Sequence, residues 1–179
     1  MGTERQDRIA QLRWETERKE KRSSLEPKLS AIVDIGSFAF LTDKESDEFQ
    51  LNSDEWPQNK WEDKLFVQAE ILMPESIEGI LAKMLNAIEE EHLYIFMVNF
   101  NFGLIRILKT ELIKNWRELI EIDGDEIYCY NPSSSGFICI ERTEEFISGR
   151  EGEGGKWIYE LTFSNKELKD KLDTSRNDM

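Results

Sequence analysis

The chain reads as an α+β domain: a mainly antiparallel sheet of about six to seven strands, two helices packed on one face, and a charged N-terminal helix. Three observations predict this. Short β-branched and aromatic runs recur along the sequence, most joined by brief Gly, Asn or Ser turns. Two segments, near 75–88 and 111–120, repeat apolar residues at helical spacing. No regular strand–helix–strand alternation appears, so neighbouring strands are expected to pair by hairpins.

TERQDRIAQLRWETERKEKRSS opens the chain with opposite charges at helical spacing, such as Glu4 with Arg8, Glu15 with Lys19 and Glu17 with Lys21. Its apolar residues, Ile9, Ala10, Leu12 and Trp14, make only a thin stripe, so residues 1–24 read as a charged helix or arm that Pro27 closes. A single domain is expected over 25–165, with a frayed tail over 166–179. AIVDIGSFAFL (31–41) has strand composition. Residues 42–63 are polar and acidic, predicting a long loop around a short strand near Phe49, with Trp56 and Trp61 standing in it.

KLFVQAEIL (64–72) predicts a strand ended by Pro74, which then opens a helix. Ile77, Ile80, Leu81, Met84, Leu85 and Ile88 give that helix one continuous apolar face. LYIFMVNF and GLIRILK read as a hairpin, and Thr110 as the cap of a second helix over 111–119. DEIYCYN, FICIE and KWIYELTF complete the strands, and TEEFISGREGEGG is expected to be a flexible loop.

Charge narrows the partners. The net charge is −14. Residues 1–24 carry seven basic and five acidic side chains, a net of +2, which leaves −16 on the remainder. Such a body repels phosphate backbones, so nucleic acid is not an expected partner; a basic protein is. No apolar run approaches the roughly 20 residues that span a bilayer, so no membrane partner is expected and the cytosol is the default compartment. Oligomeric state is left open.

Catalytic and metal motifs are missing. One histidine, His92, and two cysteines cannot furnish a four-ligand zinc site. No GxSxG elbow accompanies His92. IDGDE begins like a calcium loop, but the twelfth residue from Asp123 is Ser134 and not the closing Glu. Asp123-Gly124 reads more simply as a helix stop with Gly124 at positive φ. No cofactor is expected. A carboxylate-dependent hydrolase remains an alternative because acids are abundant, although no pair of them stands out.

Cys129 and Cys139 flank the PSSSG turn, and register decides their relation. If Tyr130 faces Phe137, Cys129 lies opposite Ile138 and the sulfurs point to opposite faces. If the five residues PSSSG alone form the loop, the two cysteines face each other.

The stretch LYIFMVNFNFGLIRILKTELIKNWRELIEIDGDEIYCYNPSSSGFICIERTEE (93–145, about a third of the chain) places a hairpin, a helix and two strands in sequence. In layout and aromatic placement it resembles small bacterial domains of unknown function and immunity proteins of polymorphic toxin systems. The resemblance implies a stoichiometric inhibitor that masks a basic toxin, its acids standing in for phosphates. It transfers no contact residues. From composition, the binding acids are expected at Asp43, Glu45, Asp47, Glu48, Asp54 and Glu55 and at Glu89, Glu90 and Glu91, with Trp56 or Trp61 as anchor. A further alternative is an adaptor that docks its partner through the N-terminal helix.

Overall fold

Among the described residues seven strands form one sheet, and every neighbouring pair is antiparallel. The computed structural model describes residues 2–52, 67–72, 74–86, 88–97, 103–132, 137–145 and 156–163. In chain order the elements are α1 (Gly2–Ser30), β1 (Phe38–Phe40), α2 (Asp43–Asn52), β2 (Val67–Leu72), α3 (Pro74–Asn86), β3 (His92–Met97), β4 (Ile105–Leu108), α4 (Lys109–Asp123), β5 (Glu126–Tyr130), β6 (Phe137–Glu145) and β7 (Lys156–Phe163). The sheet runs in the order β1-β4-β3-β5-β6-β7-β2.

Strand alternation divides the interior in two. Leu93, Ile95, Ile105, Ile107, Ile127, Cys129, Ile138, Ile140, Tyr159 and Leu161 point to one face. There they meet Ile77, Leu81, Met84 and Leu85 of α3 and Leu112, Trp116, Leu119 and Ile120 of α4. This is the expected pair of helices on one face. The other face carries a smaller, aromatic core of Phe96, Tyr128, Tyr130 and Phe137 with Leu41, Leu104 and Cys139. Phe49 of α2 packs on it, edge-on to Tyr94 and Tyr130 at 5.2 and 5.6 Å between ring centroids.

Several local expectations change. Pro27 does not close α1 but lies inside it. A proline inside a helix costs about 3 kcal/mol, but burying Leu25 and Leu29 beside it returns about 1.5–3 kcal/mol each. Residues 31–37 are turns and not strand: Gly36 takes φ 96° and Ser37 N–H donates to Asp34 O at 3.0 Å, leaving only Phe38–Phe40 extended.

Residues 43–52 form a helix where a loop with a short strand near Phe49 was expected. The reason is a capping box: Thr42 Oγ1 accepts Glu45 N–H at 3.2 Å, while Glu45 Oε2 accepts Thr42 N–H at 2.8 Å. Finally, α4 begins at Lys109 with Leu108 as its cap residue and no side-chain cap, so Thr110 is not the cap.

Thr143, Glu144 and Glu145, the start of the stretch TEEFISGREGEGG expected to be a flexible loop, instead extend β6, because their backbones pair with Ile158, Trp157 and Lys156 of β7. The other elements follow their patterns. β7 spans the whole of KWIYELTF, and Gly124 closes α4 at φ 114° with its N–H on Ile120 O. Tyr130 pairs with Phe137 and Cys129 with Ile138, so the two sulfurs enter different cores. Residues 146–155, expected as a loop, and 164–179, expected as a frayed tail, lie outside the described residues, as do Asp54, Glu55, Trp56 and Trp61. Among the described residues no helix is long and apolar enough to cross a membrane.

Candidate functional site

The acids expected to bind a partner divide into two groups, and those on α2 are engaged inside the molecule. Arg18 and Arg22 lie four residues apart on α1, as do Asp43 and Asp47 on α2, so each pair projects from one side of its helix. Arg18 grips Asp47 with both terminal nitrogens, Nη1 reaching Oδ2 at 3.2 Å, and lies 3.7 Å from Asp43. Arg22 Nη2 lies 2.6 Å from Asp43 Oδ1 and donates to Leu41 O at 2.9 Å. Glu45 serves the cap, and its hydrogen bonds from Thr42 hold its carboxyl below the usual range. Glu48 pairs with Lys44 at 3.7 Å in solvent. α1 therefore links the two faces: its final turns enter the helix-side core while Arg18 and Arg22 hold α2 against the far side.

A second anchor locks α2 in place. The fully buried Ser46 Oγ accepts Leu104 N–H at 3.1 Å, and a Cβ on Gly103 would stand only 2.7 Å from that oxygen. Beside this contact, α1 and α2 border a half-open groove of about 430 Å³ whose lining includes Glu15, Lys19, Arg22, Glu26 and Asp43. Charges of both signs line it, so it presents no field of one sign.

Glu89, Glu90 and Glu91 stand between α3 and β3; Glu89 and Glu91 are exposed and Glu90 is half-buried. Glu91 O accepts the amide of Lys109, and Lys109 Nζ donates to Ile88 O at 2.5 Å. The run thus sits beside the start of α4, where the helix dipole favours acids.

The structure adds an acidic group that composition did not single out. Glu126 pairs directly with Glu141, and Glu141 with Glu160, across β5, β6 and β7. All three project on the aromatic side of the sheet and are half-buried. Like charges directly opposed on a sheet are destabilising. Burial first, then Glu126, Glu160 and Asp125, raise the Glu141 carboxyl above its ordinary value. Tyr128 donates its phenol proton to Glu126 Oε2 at 3.2 Å, and burial keeps that phenol protonated. No basic side chain pairs with the three glutamates among the described residues. The nearest guanidinium along β6, that of Arg142, is turned to the other face, where it stacks 4.4 Å over Trp157 and donates to Gly124 O at 2.6 Å.

The signal for this ladder was present but conditional. EIYCY and FICIE place Glu126 opposite Glu141 only in the register that pairs Tyr130 with Phe137. His92, the single imidazole, opens β3 at the end opposite the ladder, which lies beyond the Met97 end roughly 17 Å along the strand. Among the described residues no group of three or more His, Cys, Asp or Glu is arranged to hold a metal ion. In comparison with known proteins, no family model, no curated protein and no solved structure matches this chain.

Proposed function

We propose that this chain is a non-catalytic protein-binding domain for a basic partner, most concretely an immunity-type inhibitor that covers a cationic toxin domain in the cytoplasm. The observation that carries this reading is the Glu126–Glu141–Glu160 ladder, three carboxylates in direct register with no basic partner among the described residues. Folding places these like charges together at a cost, and a lysine or arginine from a partner would relieve it. The net charge of −14 would speed encounter with such a partner and make it salt-dependent.

The test is calorimetric titration of the purified protein with candidate basic proteins, products of adjacent genes first, over a range of salt. Replacing Glu126, Glu141 and Glu160 by Gln should weaken binding about tenfold or more. Salt-insensitive binding, binding untouched by the triple change, or none at all rejects the reading.

A second reading, an adaptor that docks through α1, is favoured by a separate observation. Residues 5–17 of α1 are exposed throughout, with Ile9 at 42 % and Leu12 at 55 % exposure. At 100° per residue these two point away from the side carrying Arg18, Arg22, Leu25 and Leu29. Deleting residues 1–24 would not isolate this role, because it removes the arginines that hold α2. Ile9→Asp with Leu12→Asp is the cleaner probe: lost binding with the ladder intact favours the adaptor.

A further inference from the structure

One end of the sheet combines an apolar anchor with acids that make no ion pair among the described residues. The turn 34–37 carries Ile35 at its tip with 90 % of its surface in water, the most exposed large hydrophobic side chain described. Single exposed aliphatics are common on proteins. This one differs because the backbone beneath it is pinned on both sides.

Before it, Val33 is buried in the helix-side core, and Asp34 N–H points at the carboxylate of Glu111 at 3.4 Å. That carboxylate is itself buried and accepts Asn115 Nδ2 at 3.0 Å. After it, Leu108 N–H donates to Ser37 O at 2.9 Å. Gly36 at φ 96° makes the reversal that turns the isoleucine outward.

Two successive amides then tie this turn to the acidic run. Leu108 donates to Ser37 on one side, and Lys109 donates to Glu91 on the other. The turn and Glu91 therefore flank one strand end, about 10 Å apart by sheet spacing. Glu89 and Glu91 are exposed and make no ion pair among the described residues, and Asp34 is exposed beside Ile35. The cation between them, Lys109, directs its amine to Ile88 O.

We infer that Ile35, Glu89 and Glu91 form a docking surface for a basic protein segment. Ile35 seats in an apolar pocket of the partner, and lysine or arginine side chains beside that pocket meet the glutamates. Charge complementarity selects this occupant: an anionic or purely apolar surface would leave the carboxylates buried and unpaired. The inference rests on the reading of the chain as a binder of basic protein, and it adds a second contact surface at the end of the sheet opposite the glutamate ladder.

The test selects phage-displayed random dodecapeptides on the full chain and measures the enriched peptides by fluorescence anisotropy. Enriched peptides should pair basic residues with an aliphatic or aromatic one. Ile35→Asp, and separately Glu89→Gln with Glu91→Gln, should each weaken them about tenfold or more. Ile35→Ser, checked for an unchanged melting temperature, controls for folding.

If the peptides survive these changes but are lost on Glu126→Gln, Glu141→Gln and Glu160→Gln together, the docking surface is wrong and the general reading stands. If no basic peptide is enriched, both fall.

Discussion

Arg18 of α1 and Asp47 of α2, 29 residues apart in sequence, meet in a two-pronged ion pair whose guanidinium is only 4 % exposed. Paired planar groups of this kind are stronger than single contacts. The aspartate is half in water, which moderates both the desolvation cost and the loss on breaking the pair. Arg18→Ala should therefore destabilise by about 2 kcal/mol in urea unfolding. A double-mutant cycle with Asp47→Ala should return a coupling of about 1 kcal/mol. Additive effects would show that this pair contributes nothing to holding α1 on α2, leaving Arg22 and the leucines.

Gly103 tests the other attachment of α2. It sits at φ 134°, and a methyl group there would meet Ser46 Oγ at 2.7 Å. Backbone strain and the clash act together, so Gly103→Ala should cost about 2–3 kcal/mol. The Ser46–Leu104 hydrogen bond should loosen with it, read as faster exchange of the Leu104 amide. An unchanged unfolding midpoint would contradict the packing described.

The capping box gives a pH-dependent prediction. Thr42→Ala should cost about 1 kcal/mol by removing the cap of α2. Hydrogen bonds from Thr42 lower the Glu45 carboxyl below its ordinary 4.5. A depressed acid stabilises above its unfolded value and loses that contribution as pH falls through the folded one. The stability gap between wild type and Glu45→Gln should hold near neutrality and close below about pH 4.5. Thermal melts from pH 7 to 3 measure it.

Most of the sheet was legible because its strands carry their own alternation. KWIYELTF matched β7 end to end, and the apolar face of α3 was visible from Ile77 to Leu85. α2 was missed because acids dominate DKESDEFQLN and hide Phe49, the apolar side chain that seats it on the aromatic core. The capping pattern Thr42-x-x-Glu45 was the available sign. The internal use of Asp43 and Asp47 was not legible, since their partners lie on another helix. The glutamate ladder depends on register across three strands, which composition does not carry.

The cysteines should be chemically silent in the native state. Burial pushes the Cys129 thiol up to about 12 and the Cys139 thiol well above its ordinary value. At pH 8 the Cys129 thiolate is then about one part in 10⁴, and thiolate is the reactive form. The two side chains enter different cores, so no bond can join them without unfolding β5 from β6. An aromatic disulfide reagent should titrate no thiol in native buffer and two in denaturant. Rapid native labelling, or an intramolecular disulfide after mild oxidation, would overturn the register.

The middle glutamate of the ladder supplies the last prediction. Glu141 is opposed by Glu126 on one side and Glu160 on the other. Its carboxyl is raised by burial and by those neighbours. A raised acid binds its proton more tightly in the folded state than in the unfolded chain. Stability therefore falls as pH rises from the ordinary carboxylate value through the raised one. Glu141→Gln removes that loss and should stabilise the protein at pH 7 by up to about 1 kcal/mol, the scale of an opposed pair on a sheet. The gain should vanish once the pH falls below the ordinary carboxylate value. High salt should shrink it as well, because screening weakens the repulsion that the substitution relieves. Urea unfolding at pH 7 and pH 4, each with and without added salt, decides the point. A destabilised variant at pH 7 would mean that Glu141 has a stabilising partner within the fold.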